Sequence, residues 1–452
     1  MTAISIDNPV KNAVSPEPKY FDGLPVTGKQ RRIVFLLAFG FFFDFMDNSN
    51  FGVVAPAILK LWHLSLQQIG WINSAFFIGM FIGGISGGHL SNVFGRKKVL
   101  LASIAFFSVF SLFNGLAPGF ITFLLARLLT GIGTASLVVV TNLYLIEMLP
   151  GESRGRWQAL VFALGVLGIP ILGLLNKIII PSGPEAWRVL YFLGGAGFLA
   201  FFAGLIWLRE SPRWLVSKGR IAEAELILGD ITGLDIRLNP STSVPEKAFG
   251  LVYTIRSLTG QANLRRTIVL TSIFWVGYPA YAILGWLPTL FSKKGFSLDE
   301  TASFSICLAL GLTAASFVAS LISDLGGRKW SIITLFLSAG ILSLLYGHLE
   351  SKYLIFGFVI LFSLVVQALN PITSTYLAEL YPTPIRGLAV GLIYSIGRIA
   401  IAFVQLLIAP ISERFGDVGV FTFTAVLFAV PAAITALWGE RTSGRSLENL
   451  AS

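Results

Sequence analysis

Four ionisable side chains lie deep inside apolar stretches of this chain: Asp44, Asp47, Arg127 and Arg398. A charge at mid-bilayer costs roughly 2.5–3.5 kcal/mol on insertion scales, so each needs a reason to be there. Asp44 and Asp47 are three residues apart and share one side of a helix. At 1.5 Å per residue from Ile33 they lie roughly 16 and 21 Å from the start of their span, and Arg127 lies at a similar depth of roughly 20 Å. An ion pair between Asp47 and Arg127 is therefore expected. Burial strengthens a carboxyl group's hold on its proton and a neighbouring guanidinium weakens it. An Asp–Arg separation that changes during a cycle would bind and release a proton, with Asp44 assisting. The alternative is a static pair that only fixes helix packing. Two carboxylates against one arginine argue for the proton role, because one would otherwise be uncompensated.

Arg398 lies twelve residues beyond Arg386, roughly 18 Å into the membrane. Its own half of the chain offers no acid at that depth, since Glu379 belongs at a span end. A guanidinium there can hold a substrate carboxylate through two parallel hydrogen bonds. It can also bond backbone carbonyls or reach an aspartate of the other half. Near the same layer fall Phe274, Trp275, Tyr278, Tyr281, Gln367, Asn370 and Tyr394, with Asn48 and Asn142 from the first half. Aromatic faces with a few polar tips suit a small, partly apolar ligand, with simple packing as the plain alternative.

The elements that must position these groups are membrane spans. Of 452 residues, 55% are hydrophobic and only 12% charged, with mean hydropathy +0.78; soluble domains carry about 25% charged residues. At about 20 apolar residues per span, helices are expected at 33–59, 70–90, 97–117, 120–146, 156–180 and 188–208, then at 267–291, 301–322, 330–349, 353–378, 387–411 and 418–438. The fold class is an all-α membrane protein with twelve transmembrane helices in two pseudo-symmetric six-helix bundles. The expected divisions are a polar tail at 1–32, a bundle at 33–208, a linker with short surface helices at 209–266, a second bundle at 267–438 and a tail at 439–452. No cleavable signal peptide is expected, because the first apolar run is long enough to span a bilayer.

A duplication supports the two halves. Gly95-Arg96-Lys97 recurs as Gly327-Arg328-Lys329, and Glu147-x-x-Pro150-x-x-x-Arg154-Gly155 recurs as Glu379-x-x-Pro382-x-x-x-Arg386-Gly387, both 232 residues on. Parallel membrane repeats build a central site between two halves. The repeated Arg96, Arg154, Arg328 and Arg386, with Glu147, Asp324 and Glu379, read as a gate that closes one face. The plain alternative is that the basic residues only set topology.

The net charge of +10 marks topology and not a nucleic-acid surface. Lys60, Lys177, Arg188, Lys293, Lys294, Lys352 and Arg414 fall on one side, and nearly all other Lys and Arg fall in the tails, the linker and the loops between spans 2–3, 4–5, 8–9 and 10–11. That asymmetry places both termini in the cytoplasm. Cys307 is the only cysteine, so no intrachain disulfide or thiolate metal site can form. The single Asn-x-Ser sequence, Asn239-Pro240-Ser241, is blocked by proline, consistent with a bacterial inner membrane. No metal and no cofactor are expected; the partners are a small solute, protons and the bilayer, with the chain a monomer.

At these residues the chain resembles the major facilitator superfamily. Gly88-His-Leu-Ser-Asn-Val-Phe-Gly95-Arg96-Lys97-Lys98 is similar to its signature loop, and Arg127-Leu-Leu-Thr-Gly131-Ile-Gly133 to a span 4 pattern whose arginine is linked to proton coupling. Glu210-Ser211-Pro212-Arg213-Trp214-Leu215 and Gly444-Arg445-Ser446-Leu447-Glu448 resemble sugar-porter signatures. Asp44-Phe-Met-Asp47 and Leu24-Pro25-Val-Thr27 resemble aromatic-acid and nicotinate-type metabolite:proton symporters. There are departures. Asn92 stands where the signature loop has aspartate, Val161–Leu175 lacks the glutamines of hexose porters, and Gly168-Ile169-Pro170 replaces the adjacent Gly-Pro of antiporters. The resemblance implies a proton-coupled symporter of a small organic acid, an aromatic or pyridine carboxylate, with a sugar or polyol carrier next. A transporter-fold sensor is remote. An enzyme is not expected, since His63, His89 and His348 sit at helix ends or loops and no catalytic cluster accompanies them.

Overall fold

The computed structural model describes residues 20–151, 153–238, 251–325, 327–346, 348–349, 351–381 and 383–441. The first half holds spans at Gly28–Leu61, Leu66–Phe94, Arg96–Leu116, Phe120–Met148, Arg154–Ser182 and Trp187–Trp207. The second holds Asn263–Lys293, Leu298–Leu325, Arg328–Tyr346 and Lys352–Leu380, and then Thr383–Trp438, which divides into two spans at Gly416 (φ 65°, ψ −166°). These are the twelve spans of two six-helix bundles. Between the halves run short helices at Pro212–Ser217, Ile221–Thr232 and Leu251–Thr259.

Span 1 begins at Gly28, five residues before the apolar pattern does. The cause is a capping box. Thr27 Oγ1 accepts from the Gln30 amide at 3.3 Å, and Gln30 Oε1 accepts from the Thr27 amide at 2.9 Å. Two otherwise orphaned amides are thereby satisfied. The residues just before span 1 are also docked. Phe21 is buried, and Asp22 accepts from the Gly151 amide at 2.7 Å.

Two spans break next to the molecular centre. Span 5 is interrupted at Leu167, between helices Arg154–Val166 and Gly168–Ile179. Pro170 has no amide to donate, and its ring clashes with the carbonyl four residues back. Span 7 opens into a wide π turn over Ser272–Gly277 and tightens into a 3-10 turn over Tyr278–Ala282. Such departures recur at functional sites and need Pro or small residues; here Pro279 and Gly277 supply them.

The halves meet on the face away from the basic loops. A Cβ at Gly52 would lie 3.0 Å from the Gly285 carbonyl, and one at Gly70 would lie 2.8 Å from the Gln405 carbonyl. Ser74 Oγ donates to the Ala402 carbonyl at 2.7 Å, and Lys177 Nζ lies 3.1 Å from Ser303 Oγ. Toward the basic loops, the Arg154–Val166 part of span 5 packs against span 1 instead of the second half.

Candidate functional site

A central cavity of about 210 Å³ lies between the halves, lined from both. Broken span 7 contributes Tyr278 and Tyr281, span 10 Gln367 and Asn370, and span 11 Tyr394 and Arg398. The first half contributes Asp44 and Asn48 from span 1 and Arg127 from span 4.

On the second-half wall, the Arg398 guanidinium donates to the Tyr394 hydroxyl at 2.5 Å, with its carbon 4.7 Å from that ring's centre. Among the described residues no carboxylate comes within ion-pair distance of Arg398. Tyr278 and Tyr281 are stacked, their centroids 5.9 Å apart and their planes 9° from parallel. The Tyr281 hydroxyl donates to Gln367 Oε1 at 2.6 Å, which fixes that amide and turns its NH2 group toward other partners. The wall thus presents a guanidinium, a flat aromatic pair and amide donors.

On the first-half wall, the two aspartates part company. Asp44 lines the cavity, whereas Asp47 is fully buried inside the bundle and does not. Three residues turn a helix by about 300°, which leaves the two side chains about 60° apart. Arg127 Nη1 lies 3.3 Å from Asp47 Oδ2 and 3.4 Å from the Asp47 carbonyl. The guanidinium carbon also sits 4.0 Å from the centre of the Phe76 ring, a cation–π contact. The Ser111 hydroxyl donates to Asp47 Oδ1 at 2.5 Å. Gly194 is what lets Ser111 in: a Cβ there would lie 2.3 Å from Ser111 Oγ and 3.0 Å from Asp47 Oδ1. Arg127 therefore touches both the ion pair and the cavity.

The structure does not bring every expected residue to the cavity. Trp275 is partly exposed and its indole N–H donates to the Ile393 carbonyl at 3.2 Å, off the cavity. The π turn moves it out of phase with Tyr278. Asn142 is exposed toward the basic face, where its carbonyl accepts from Gln158 Nε2 at 3.4 Å. Residues the sequence reading passed over also line the cavity, including Asn73 and Gln405. Both are amides inside apolar runs, the signal that could have found them. Gln405 Oε1 also accepts from the buried Trp286 indole.

At the basic face, Arg96 binds Glu147 through Nε at 3.0 Å and Nη2 at 2.9 Å. Arg154 goes elsewhere: it lies 3.7 Å from Asp22, which also takes Arg213 at 3.3 Å. Arg154 is thus engaged by Asp22, just before span 1. Arg328 is also engaged by a partner, and the side chains of Asp324, Glu379 and Arg386 lie outside the described residues, as does the Gly444–Glu448 motif. Glu210 plays a part beyond its motif. Its Oε1 accepts from the amides of Arg96 at 2.8 Å and Lys97 at 3.2 Å, capping the start of span 3. A carboxylate there satisfies orphaned amides and the positive end of the helix dipole. Gly95 makes this possible, with φ of 103° and no Cβ where Glu210 Oε2 lies at 2.3 Å. On the linker, Lys29 Nζ lies 2.6 Å from Asp230 Oδ1 and, with Arg209, holds that carboxyl below its ordinary range.

Twelve spans in two halves around a central cavity lined from both are the architecture of a membrane transporter. The family model for sugar (and other) transporters matches residues 30–452, and the chain belongs to that family. It is thus a multi-pass membrane transporter and not an enzyme. It is 30% identical to a putative metabolite transport protein, YyaJ, of Bacillus subtilis, covering 94% of this chain and 96% of that protein. It is 26% identical to the niacin transporter NiaP of Acinetobacter baylyi, over 95% of this chain and 98% of that one. Its fold matches the inward-open xylose transporter XylE from E. coli with a TM-score of 0.74 at 20% identity, covering 92% of this chain and 98% of that one.

Proposed function

We propose that this chain is a proton-coupled symporter that imports a small organic anion, of the aromatic or pyridine carboxylate class, by alternating access. The observation that carries the reading is Arg398, a guanidinium in the cavity wall that bonds a tyrosine and, among the described residues, forms no ion pair, with Asp44 lining the same cavity from the other half. A bidentate carboxylate is its natural complement. The stacked Tyr278 and Tyr281 offer a flat face for the ring of the same solute. Niacin, named for the Acinetobacter relative, is a pyridine carboxylate with both features.

Asp47 with Arg127 is the proton site, and Asp44 assists from the cavity wall. Protonation of Asp47 removes the counter-charge of Arg127, which is then free to respond to the cavity it also lines. The positive-inside asymmetry sets the basic face and both termini in the cytoplasm of a bacterial inner membrane. The close contacts between the halves on the other face support an inward-facing state, and the working unit is a monomer. Arg96, Glu147, Arg154, Asp324, Arg328, Glu379 and Arg386 form the cytoplasmic gate, with Arg154 parked on Asp22 while the gate is open.

A ligand at about 100 times its dissociation constant adds roughly 2.7 kcal/mol of apparent stability. A thermal-shift screen of nicotinate, benzoates, aliphatic acids, hexoses and polyols on the wild type and Arg398→Ala therefore tests this. Carboxylates should stabilise the wild type and lose the effect in the variant. A second reading, a sugar or polyol carrier, is favoured by the carboxamides of Asn48, Asn73, Gln367, Asn370 and Gln405 around the cavity. Stabilisation by sugars that survives Arg398→Ala would select it and overturn the organic-acid reading.

A further inference from the structure

Behind the Asp47–Arg127 pair, on the side away from the substrate cavity, the first half contains a second polar region. Span 1 supplies Asn50, one turn beyond Asp47. Span 3 supplies Asn114, one turn outward of Ser111, and the outer end of span 6 supplies Trp187 and Tyr191. None of these side chains lines the substrate cavity, and all are fully buried.

They bring more hydrogen-bonding capacity than they use on one another. Asn114 Nδ2 donates to Thr130 Oγ1 at 2.9 Å, yet Asn114 Oδ1 has no protein partner. The same holds for both polar atoms of the Asn50 amide, Arg127 Nε, Trp187 Nε1 and the Tyr191 hydroxyl. Buried polar atoms are almost always hydrogen-bonded, and where side chains do not supply the partner, ordered water does. A water needs two to four polar neighbours, and Ser111, one turn from Asn114, ties spans 1, 3 and 6 together here by bonding both Asp47 and, at 3.0 Å, the Tyr191 carbonyl.

The region has a direction. It starts at Asp47, whose carboxylate meets Ser111, and runs toward the far face, where rings close it. Trp62 packs edge-on to Trp187 at 5.4 Å, and Phe123 packs edge-on to Trp187 at 5.9 Å and to Tyr191 at 5.5 Å. The ionisable groups around Asp47 are Arg127 on span 4, Tyr191 on span 6 and Asp44 on its own helix; span 3 meets it with Ser111.

We propose that this chamber is hydrated and conducts the proton to Asp47 from the far face, by a path through the first half that is separate from the substrate path. The inference rests on the reading of Asp47 as the proton site. A hydronium ion at the outer end gives up its proton to the chain of waters, and the innermost water passes one to the Asp47 carboxylate. One O–H bond forms on Asp47, one is lost from the hydronium, and the charge of Asp47 is neutralised. Such a route lets the proton arrive while the substrate cavity is sealed from that side. It also places Asn50 and Asn114 as positioning residues for the waters.

Two measurements test this. The first is radiolytic hydroxyl labelling of the wild-type protein in H2(18O), which marks side chains next to bound water. Tyr191 and Trp187 should take up 18O at least fivefold faster than Tyr144, which is equally buried but has its hydroxyl bonded to the Arg209 carbonyl. Equal, slow labelling of all three would overturn a hydrated chamber, whatever any variant does. The second compares Asn50→Leu with Asn50→Ser in proteoliposomes, with nicotinate as the first carboxylate tried. Asn50→Leu should lower proton-driven accumulation at least tenfold and leave counterflow exchange within twofold, with Asn50→Ser largely restored. Accumulation within twofold of wild type in Asn50→Leu would overturn the route even if the chamber is wet. Normal accumulation by Asp47→Asn would instead sink the coupling reading itself, a separable outcome.

Discussion

Arg398 and Tyr394 stand one turn apart on span 11, and the guanidinium both stacks on the tyrosine ring at 4.7 Å and donates to its hydroxyl at 2.5 Å. The pairing holds the cation in the cavity wall without neutralising it. A phenol hydroxyl is a modest partner that an incoming carboxylate can displace, because charge-assisted bonds are about twice as strong as neutral ones. Arg398→Ala should therefore weaken carboxylate binding by roughly 10- to 100-fold, from the 1.5–3 kcal/mol of a charged hydrogen bond. Arg398→Lys should recover only part of it, since a point charge cannot reproduce the planar fork. Isothermal titration on both variants checks this; full affinity in the lysine variant would argue against bidentate recognition.

Tyr394→Phe keeps the ring and removes the hydroxyl. The expected loss is smaller, no more than about tenfold in affinity, from a single hydrogen bond worth about 0.5–1.5 kcal/mol. The same titration measures it. A larger loss would mean that the hydroxyl contacts the solute directly.

These two residues were legible in the sequence because an arginine inside an apolar run has few reasons to exist. The Asp47–Arg127 pair was legible for the same reason, and a rise of 1.5 Å per residue sufficed to match their depths. Separating Asp44 from Asp47 was not possible from spacing alone, because 60° of helix rotation decides a wall position only once the neighbours are known. Trp275 was misdirected by assuming a regular helix, where Ser272–Gly277 widens into a π turn. Asp22 was not singled out, and Glu210 was named only within its motif, because their partners, Arg154, Arg213 and the amides of span 3, are distant in sequence. The twelve spans and the two halves were visible throughout, since apolar runs and a fixed 232-residue offset need no tertiary information.

Gly194→Ala tests the packing around Asp47. The added methyl would stand 2.3 Å from Ser111 Oγ, so the helices must part or Ser111 must turn away. Overpacking of this kind costs about 1–3 kcal/mol. A lower unfolding temperature and weakened proton coupling are expected together, and Ser111→Ala should relieve the first without restoring the second. They are read by thermal unfolding and by proton-driven accumulation in proteoliposomes, respectively; an unchanged melting temperature in Gly194→Ala would contradict the close approach.

The Lys29–Asp230 contact predicts a pH effect on the linker. The folded carboxyl of Asp230 is held below its ordinary range, chiefly by its hydrogen bond with Lys29. Its contribution is therefore complete above the unfolded value, about 3.9, and is lost as pH falls through the lower folded value. Hydrogen exchange in Ile221–Thr232, corrected for the intrinsic pH dependence, should quicken only below about pH 4. Asp230→Asn should show the faster exchange at neutral pH already.

The measurement closest to the central claim is nicotinate uptake into proteoliposomes under an imposed pH gradient, acid outside, with an interior pH dye recording proton entry. Wild type should accumulate the solute and acidify the lumen beyond the leak. Asp47→Asn should show neither, yet still exchange labelled for unlabelled solute. Concentrative, gradient-driven uptake by Asp47→Asn equal to wild type would contradict the assignment of Asp47 and Arg127 as the proton site.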